Sequence, residues 1–465
     1  MSYFPFLWYS LLSGCGYIIY LLYDSSDIFK FSSLFHTNQY IEKSWIFPFY
    51  ILSELCYFAL NSYDKIFEDK TIKFTEEEKT ESLENLGVII PCHDAMKEIQ
   101  KNKTILKSKF KYVFIADNDN NDFANEEFLE FCENNGFFYL HHSLPNKTNA
   151  ILETVYHIKK NFPFIDKILL LDDDTIVRDD FFIRTDILKD PTTAGYTCTI
   201  GIKKSNDFNI LEHWIDFEYR TISYRNRSRN FHSLKFLHGI MCVYKIDALI
   251  RIYEWNCCNI GGLPFGEDAF SGLQARTIGY KLKQDHLNLV YTYCPKVLFT
   301  ISRNQRTQGY GASSLFKQRV LRWYLSWPRR IFHEFALLLF YDTGSTFGNI
   351  LYRFDFFWYV WLLSVSCWWI AILVEMSLSF NHFKNFMILH IFFYILNVFT
   401  SYIRSIVMSK LEKQNIHYLA PLTFPFFLLI LLFFYSSSFI MSIFYYIPFY
   451  RVDYKKCYRR VGSKF

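Results

Sequence analysis

The chain has 465 residues, of which 51% are apolar, with 51 Phe, 34 Tyr and a formal net charge of +5. That length exceeds one ordinary domain, and the composition points to a lipid-facing part beside a soluble one. The small charge, with no Lys/Arg run interleaved with aromatics along a soluble face, argues against nucleic acid as a partner.

From the N-terminus, Tyr3 to Tyr23 is almost continuously apolar and long enough to cross a bilayer. It lacks the basic start and small-residue cleavage site of a signal peptide and reads as a retained anchor. A second run, Trp45 to Tyr63, carries Glu54 and reads as a spanning or interfacial segment. Residues 1–63 are therefore an anchor of one or two helices, and the charged stretch 64–86 is a linker.

Between residues 87 and 330 short apolar runs alternate with charged helical stretches, the pattern of an α/β domain with a largely parallel sheet. Strands are expected at Gly87 to Pro91, Tyr112 to Ala116, Gly136 to Leu140, Lys167 to Leu171 and Phe236 to Tyr244. The eleven cysteines form no paired framework and no zinc spacing, which favours reduced thiols and a cytosolic soluble part. Cys92 and Cys198, beside apolar runs, read as small buried hydrophobes.

After the domain come an interfacial segment, 331–350, a membrane bundle, 351–448, and a basic tail, 449–465. The bundle holds three apolar runs, Phe356 to Phe380, Phe386 to Ile403 and Tyr418 to Ile447. Basic residues mark both sides of the last run as cytosolic: Arg404, Lys410 and Lys413 before it, Arg451, Lys455, Lys456, Arg459 and Arg460 after it. One span cannot join two cytosolic ends, so the span count or the regularity of that run is open.

Four segments carry chemistry. Ile168 to Leu171 runs straight into Asp172, Asp173, Asp174 and Thr175, an apolar strand ending in three carboxylates. Ligands of open α/β sheets bind at such strand ends. Acids at i and i+2 can face one hard cation, so Asp172 and Asp174 are the candidate Mg²⁺ or Mn²⁺ ligands, Asp174 the firmer, with Asp172 also on the sugar-nucleotide side. Upstream, one strand stops at Pro91 and another at Asp117. Asp117 can accept from a base or ribose, and Lys147 opens a helix where a phosphate would be favoured.

Downstream, Gly261 to Phe270 is a glycine-rich loop that delivers Glu267 and Asp268 just ahead of a helix at Phe270 to Ile278. Inverting sugar transfer needs a carboxylate to take the proton of the attacking hydroxyl; Asp268 is the candidate base and Glu267 its support. Last, Lys317 to Trp323 places Gln318, Arg319, Arg322 and Trp323 on a helix ahead of the membrane bundle. Its cations can balance a leaving diphosphate and its indole can stack on a sugar, although Arg and Trp also anchor proteins at membrane surfaces.

In this order, and between membrane anchors, the segments resemble family-2 glycosyltransferases of the hyaluronan, chitin and cellulose synthase type, fungal polysaccharide synthase-like members above all. The resemblance implies a cytosolic GT-A type nucleotide-sugar-binding domain inserted between transmembrane helices, a UDP-sugar donor, Mg²⁺ or Mn²⁺, and a carbohydrate or lipid acceptor. It matches Asp117 to the uridine-contacting acid, Asp172 and Asp174 to the D-x-D motif, and Glu267 and Asp268 to the acid pair holding the base. Arg319, Arg322 and Trp323 fall on the Q-x-x-R-W motif of the acceptor end. Two departures stand out: Arg319 takes the place of the Gln, with Gln318 one position early, and Asn118, Asp119 and Asn120 replace the usual Gly-Ser. An R-x-x-R-W form is similar to that of ceramide glucosyltransferases, so a single-sugar lipid glycosyltransferase is the first alternative. A non-catalytic membrane protein with a degenerate sugar-nucleotide domain is the second.

Overall fold

The structure is a computed structural model; it describes residues 74–93, 95–118, 125–142, 147–259, 267–300, 314–324, 341–353, 397–409 and 416–446, together with 334, 337, 394 and 395. The two N-terminal apolar runs, the run at 356–380, the glycines at 261–266 and the basic tail lie outside the described residues.

The elements alternate as the sequence pattern demands. In chain order they are α1 (Glu76–Glu81), β1 (Leu86–Cys92), α2 (Met96–Lys109), β2 (Tyr112–Asp117), α3 (Glu126–Asn135), β3 (Phe138–His141), α4 (Lys147–Asn161) and β4 (Lys167–Leu171). There follow α5 (Thr185–Lys189), β5 (Thr193–Ile202), α6 (Ile210–Ser228), β6 (Met241–Lys245), α7 (Ile246–Asn259), α8 (Glu267–Thr277) and β7 (Lys281–Thr292). A 3₁₀ turn, Arg229–Phe231, follows α6, and a π-helical segment, Lys317–Trp323, and a long apolar helix, α9 (Leu419–Tyr446), come after β7.

The seven strands form one sheet in the order β3-β2-β1-β4-β6-β5-β7. All neighbours are parallel except β6, which runs against both β4 and β5. The sheet is thus mixed, and β1, β2 and β4 all end at one edge. Helices cover both faces, which is why the central strands read as unbroken apolar runs. Side chains alternate between two cores: Val88, Ile90, Leu169 and Leu171 face α2, α3 and α6, while Ile89, Ile168 and Leu170 face α4 and α7. Pro91 sits past the last β1–β4 pair, Ile89 with Leu170, where a missing N–H costs no bond on that side.

The expected strand at Phe236 to Tyr244 is shorter than its sequence suggests, because only Met241–Lys245 pairs. Residues 236–240 instead form a loop that ends in a turn. β5 and β7, which form the far side of the sheet, were not expected as strands.

Helix α9 is long and apolar enough to cross a membrane by length and composition, and it is the only such helix among the described residues. One side packs on the α/β core: Trp214 Nε1 donates to Thr423 Oγ1 at 2.7 Å, Trp214 stacks on Phe427, and Phe217 meets Phe424 edge-on. The other side exposes Leu422, Phe426, Leu429 and Phe433. Their spacing of four, three and four residues makes one apolar stripe.

Candidate active site

The three acids follow β4 directly. Asp172 N–H donates to the Ile240 carbonyl at 3.0 Å, and Thr175 donates through its backbone to Asp172 O and through Oγ1 to Ile240 O. The turn is thereby tied to the 236–240 loop. Asp174 is buried, and burial, with Asp173 and Asp172 adding to it, pushes its carboxyl well above the usual carboxylate range. A buried acid flanked by acids is short of positive charge.

Part of that charge comes from Lys147, the first residue of α4. Its ammonium lies 2.7 Å from Asp172 Oδ1 and 3.0 Å from Glu267 Oε1, a cation bridging the strand-end acid and the first residue of α8. Burial alone would lower the lysine pKa, but the Asp172 and Glu267 carboxylates outweigh it and hold the group well above its ordinary value. Lys147 is charged throughout the neutral range.

Asp268, next to Glu267, accepts from the Ala269 N–H at 2.7 Å. The backbone of Gly239 runs alongside both acids: a Cβ there would stand 3.7 Å from Asp268 Cβ and 3.8 Å from Glu267 Oε1. Pro91, Lys147, Gly239, Tyr253, Glu267 and Asp268 line one narrow cleft. Loop 236–240 therefore hydrogen-bonds to Asp172 and Thr175 through Ile240 and lies alongside Glu267 and Asp268 at Gly239.

Asp117, at the end of β2, is buried and accepts from Tyr139 Oη at 2.6 Å. The Tyr139 oxygen in turn accepts from the Asn125 N–H at the start of α3. Burial and the Asp117 carboxylate raise the phenol pKa, so Tyr139 stays a donor. Sequence reasoning missed Tyr139, since nothing in its spacing ties it to Asp117, 22 residues earlier.

The segment at Lys317–Trp323 is a π-helix, with Tyr324 N–H donating to Arg319 O at 2.8 Å, five residues back. Closing on i+5 rather than i+4 inserts one extra residue per turn. In such a turn residues five apart, as Gln318 and Trp323 are, share the angular relation that an α-helix gives to residues four apart. Gln318 is buried, and among the described residues neither of its amide atoms has a hydrogen-bond partner. Arg319 is also buried; Nη2 donates to Glu218 Oε2 at 2.6 Å and its guanidinium sits 4.2 Å from the centre of the Trp323 ring. Glu218, a second residue that the sequence did not single out, holds Arg319 in the interior. The side chain of Arg322 lies outside the described residues.

His238 belongs to the 236–240 loop, and its ring contacts those of Tyr219 and Phe236. Burial, then the charges of Arg319 and Arg229, bring its pKa down to about 4, so the imidazole is neutral at physiological pH.

No family model matches the chain, and no curated protein matches it. Among solved structures it is similar to GalNAc-T7 with UDP, GalNAc and Mn²⁺, at 11% identity over 58% of this chain and 54% of that one, with a TM-score of 0.35. It is also similar to glucosyl-3-phosphoglycerate synthase from Mycobacterium tuberculosis with Mn²⁺, UDP and glucosyl-3-phosphoglycerate, at 11% identity over 56% and 85%, with a TM-score of 0.32. A third is a putative glucose-1-phosphate thymidylyltransferase from Bacillus anthracis, at 8% identity over 44% and 88%, with a TM-score of 0.28. The chain spans about half the length of the first of these. The likenesses are faint, and the chemistry of the site stands on its own residues.

Among the described residues no three His, Cys, Asp or Glu groups converge closely enough to hold a metal ion by themselves. Asp172 and Asp174 nevertheless suit a hard cation that takes its remaining oxygens from a diphosphate and water, as Mg²⁺ commonly does.

Proposed function

We propose that the chain is a membrane-attached, inverting glycosyltransferase of the GT-A type that moves a sugar from a UDP-sugar to a growing polysaccharide. The observation that supports this reading most is the Lys147 bridge, which joins the acids after β4 to the Glu267-Asp268 pair across one cleft. Asp172 and Asp174 would hold Mg²⁺ or Mn²⁺, and the ion would neutralise the departing diphosphate. Lys147 would turn toward the same phosphates as a point charge. Asp268 would take the proton of the acceptor hydroxyl, and Glu267 would keep Lys147 beside it. Trp323 and Gln318 would meet the acceptor, while Arg319, paired with Glu218, would act by shaping that wall. The apolar stripe of α9 supports a bilayer as partner, and the catalytic face would be cytosolic.

Asp117 would read the base, its acceptor oxygens suiting the N3–H of uracil, with Pro91 at the neighbouring strand end. Tyr139→Phe removes a hydrogen bond to a charged acceptor, so UDP affinity should fall by about 10-fold with kcat unchanged; calorimetric titration with UDP checks it.

Full-length protein in detergent, supplied with labelled UDP-sugars and Mn²⁺, should release UDP and build a product of many sugars from one of them. A product of one sugar on a lipid would instead establish the single-transfer reading. No metal-dependent UDP release from any donor would overturn the enzymatic reading.

A further inference from the structure

The helix that carries the proposed base is fixed at its far end. Arg276, in the last turn of α8, is fully buried, and its guanidinium is saturated. Nη1 donates to Glu334 Oε2 at 2.6 Å and to Tyr352 Oη at 2.7 Å. Nη2 donates to the Lys235 carbonyl at 2.8 Å and to Glu334 Oε1, and Nε donates to Gly272 O. Both carboxylate oxygens of Glu334 are engaged, the two-point geometry that only arginine offers.

Four residues earlier on the same helix, Gly272 lies flat against residues 235 and 236. A Cβ there would stand 2.2 Å from Lys235 O and 2.5 Å from Phe236 Cα, so no larger residue fits. Three to four residues further along that same strand of chain are Gly239, against Asp268 and Glu267, and Ile240, which accepts from Asp172 and Thr175. Arg276 therefore joins α8 and the 235–240 loop to Glu334 and Tyr352, which flank the start of the expected membrane bundle at residue 351.

We infer that Arg276, with Glu334 and Tyr352, is a positioning device that sets where Asp268 stands relative to the acids after β4. The inference rests on the reading of Asp268 as base. None of the three side chains need touch substrate. A helix that begins at the reacting groups is free to swing unless its remainder is held, and a displacement of about 1 Å at a reacting group costs on the order of 100-fold in rate. A buried ion pair adds little net stability over apolar groups of the same volume, so this one is better explained by the geometry it fixes.

The experiment uses full-length protein in detergent with three readouts: UDP release under steady state, UDP binding with Mn²⁺, and hydrogen exchange of the 267–277 amides without substrate. Arg276→Met/Glu334→Leu fills the space with apolar groups. Its thermal midpoint and UDP affinity should stay near wild type while kcat falls ~10- to 100-fold and exchange across α8 quickens. Arg276→Lys keeps the charge but loses the two-point grip, and should lower kcat by roughly 10-fold with the same pattern. A folded double variant, or the lysine variant should the double one not fold, with kcat within about twofold of wild type overturns the inference. So does a fall in UDP affinity that accounts for the whole loss. Should wild-type protein transfer no sugar, it is the reading of Asp268 that fails, and hydrogen exchange alone then decides: faster exchange upholds the clamp and unchanged exchange refutes it.

Discussion

Asp268→Asn should abolish sugar transfer, with a loss of about 10³-fold or more, and leave UDP binding within about twofold of wild type. The amide has the shape of the carboxylate and keeps the contact with Gly239 and the hydrogen bond from Ala269 N–H. What it lacks is the ability to take a proton from the acceptor hydroxyl. Because Lys147 bridges Asp172 and Glu267 and not Asp268, the cation near the diphosphate should be undisturbed. Loss of UDP affinity in step with loss of rate would mean that Asp268 belongs to donor binding. Normal turnover would remove it as the base.

The second large effect concerns the acids after β4. A chelator should stop transfer completely, Mn²⁺ or Mg²⁺ should restore it, and Asp174→Asn should fall at least about 100-fold in rate at saturating metal. The same substitution should raise the thermal midpoint of the metal-free protein. Asp174 carries a raised pKa in the folded state, caused first by burial and then by Asp173 and Asp172. The folded chain therefore binds this proton more tightly than the unfolded chain does. Its contribution to stability is present below the unfolded aspartate pKa and is lost as pH rises through the higher folded value. Metal-free wild type should thus lose stability over that window, Asp174→Asn should lose less, and added Mn²⁺ should flatten the profile. Melting curves at several pH values with and without Mn²⁺ check all three. A profile unchanged by Asp174→Asn would show that this carboxyl is already neutralised by other means.

How much of this is visible in the sequence depends on which contacts are local. β4 and its acids are legible because a strand covered on both faces must be apolar at every position, and the break at Asp172 marks its end. β5 escapes notice because Thr193, Gly195, Thr197, Thr199 and Gly201 interrupt the apolar run, and β7 because Lys281, Lys283, Gln284 and Asp285 do the same. β5 needs its glycine: a Cβ at Gly195 would lie 2.2 Å from the Val243 carbonyl of β6. The reversed direction of β6 leaves no trace in local composition. At the site, the acids could be named one by one, but Lys147 meets Glu267 across 120 residues, Arg319 meets Glu218 across 101, and Tyr139 meets Asp117 across a strand pair. Those partners are set by the fold.

The π-helical turn at Lys317–Trp323 separates spacing along the chain from spacing around the helix axis. A pattern written as letters and gaps counts residues along the chain, whereas a binding wall responds to angle around the helix axis. One inserted residue taken up as a single widened turn alters the count while preserving the angle. Here Ser438 Oγ on α9 donates to the Val320 carbonyl inside that turn, and Tyr435 stacks on Tyr324 just beyond it. The apolar helix thus braces the irregular backbone between Gln318 and Tyr324.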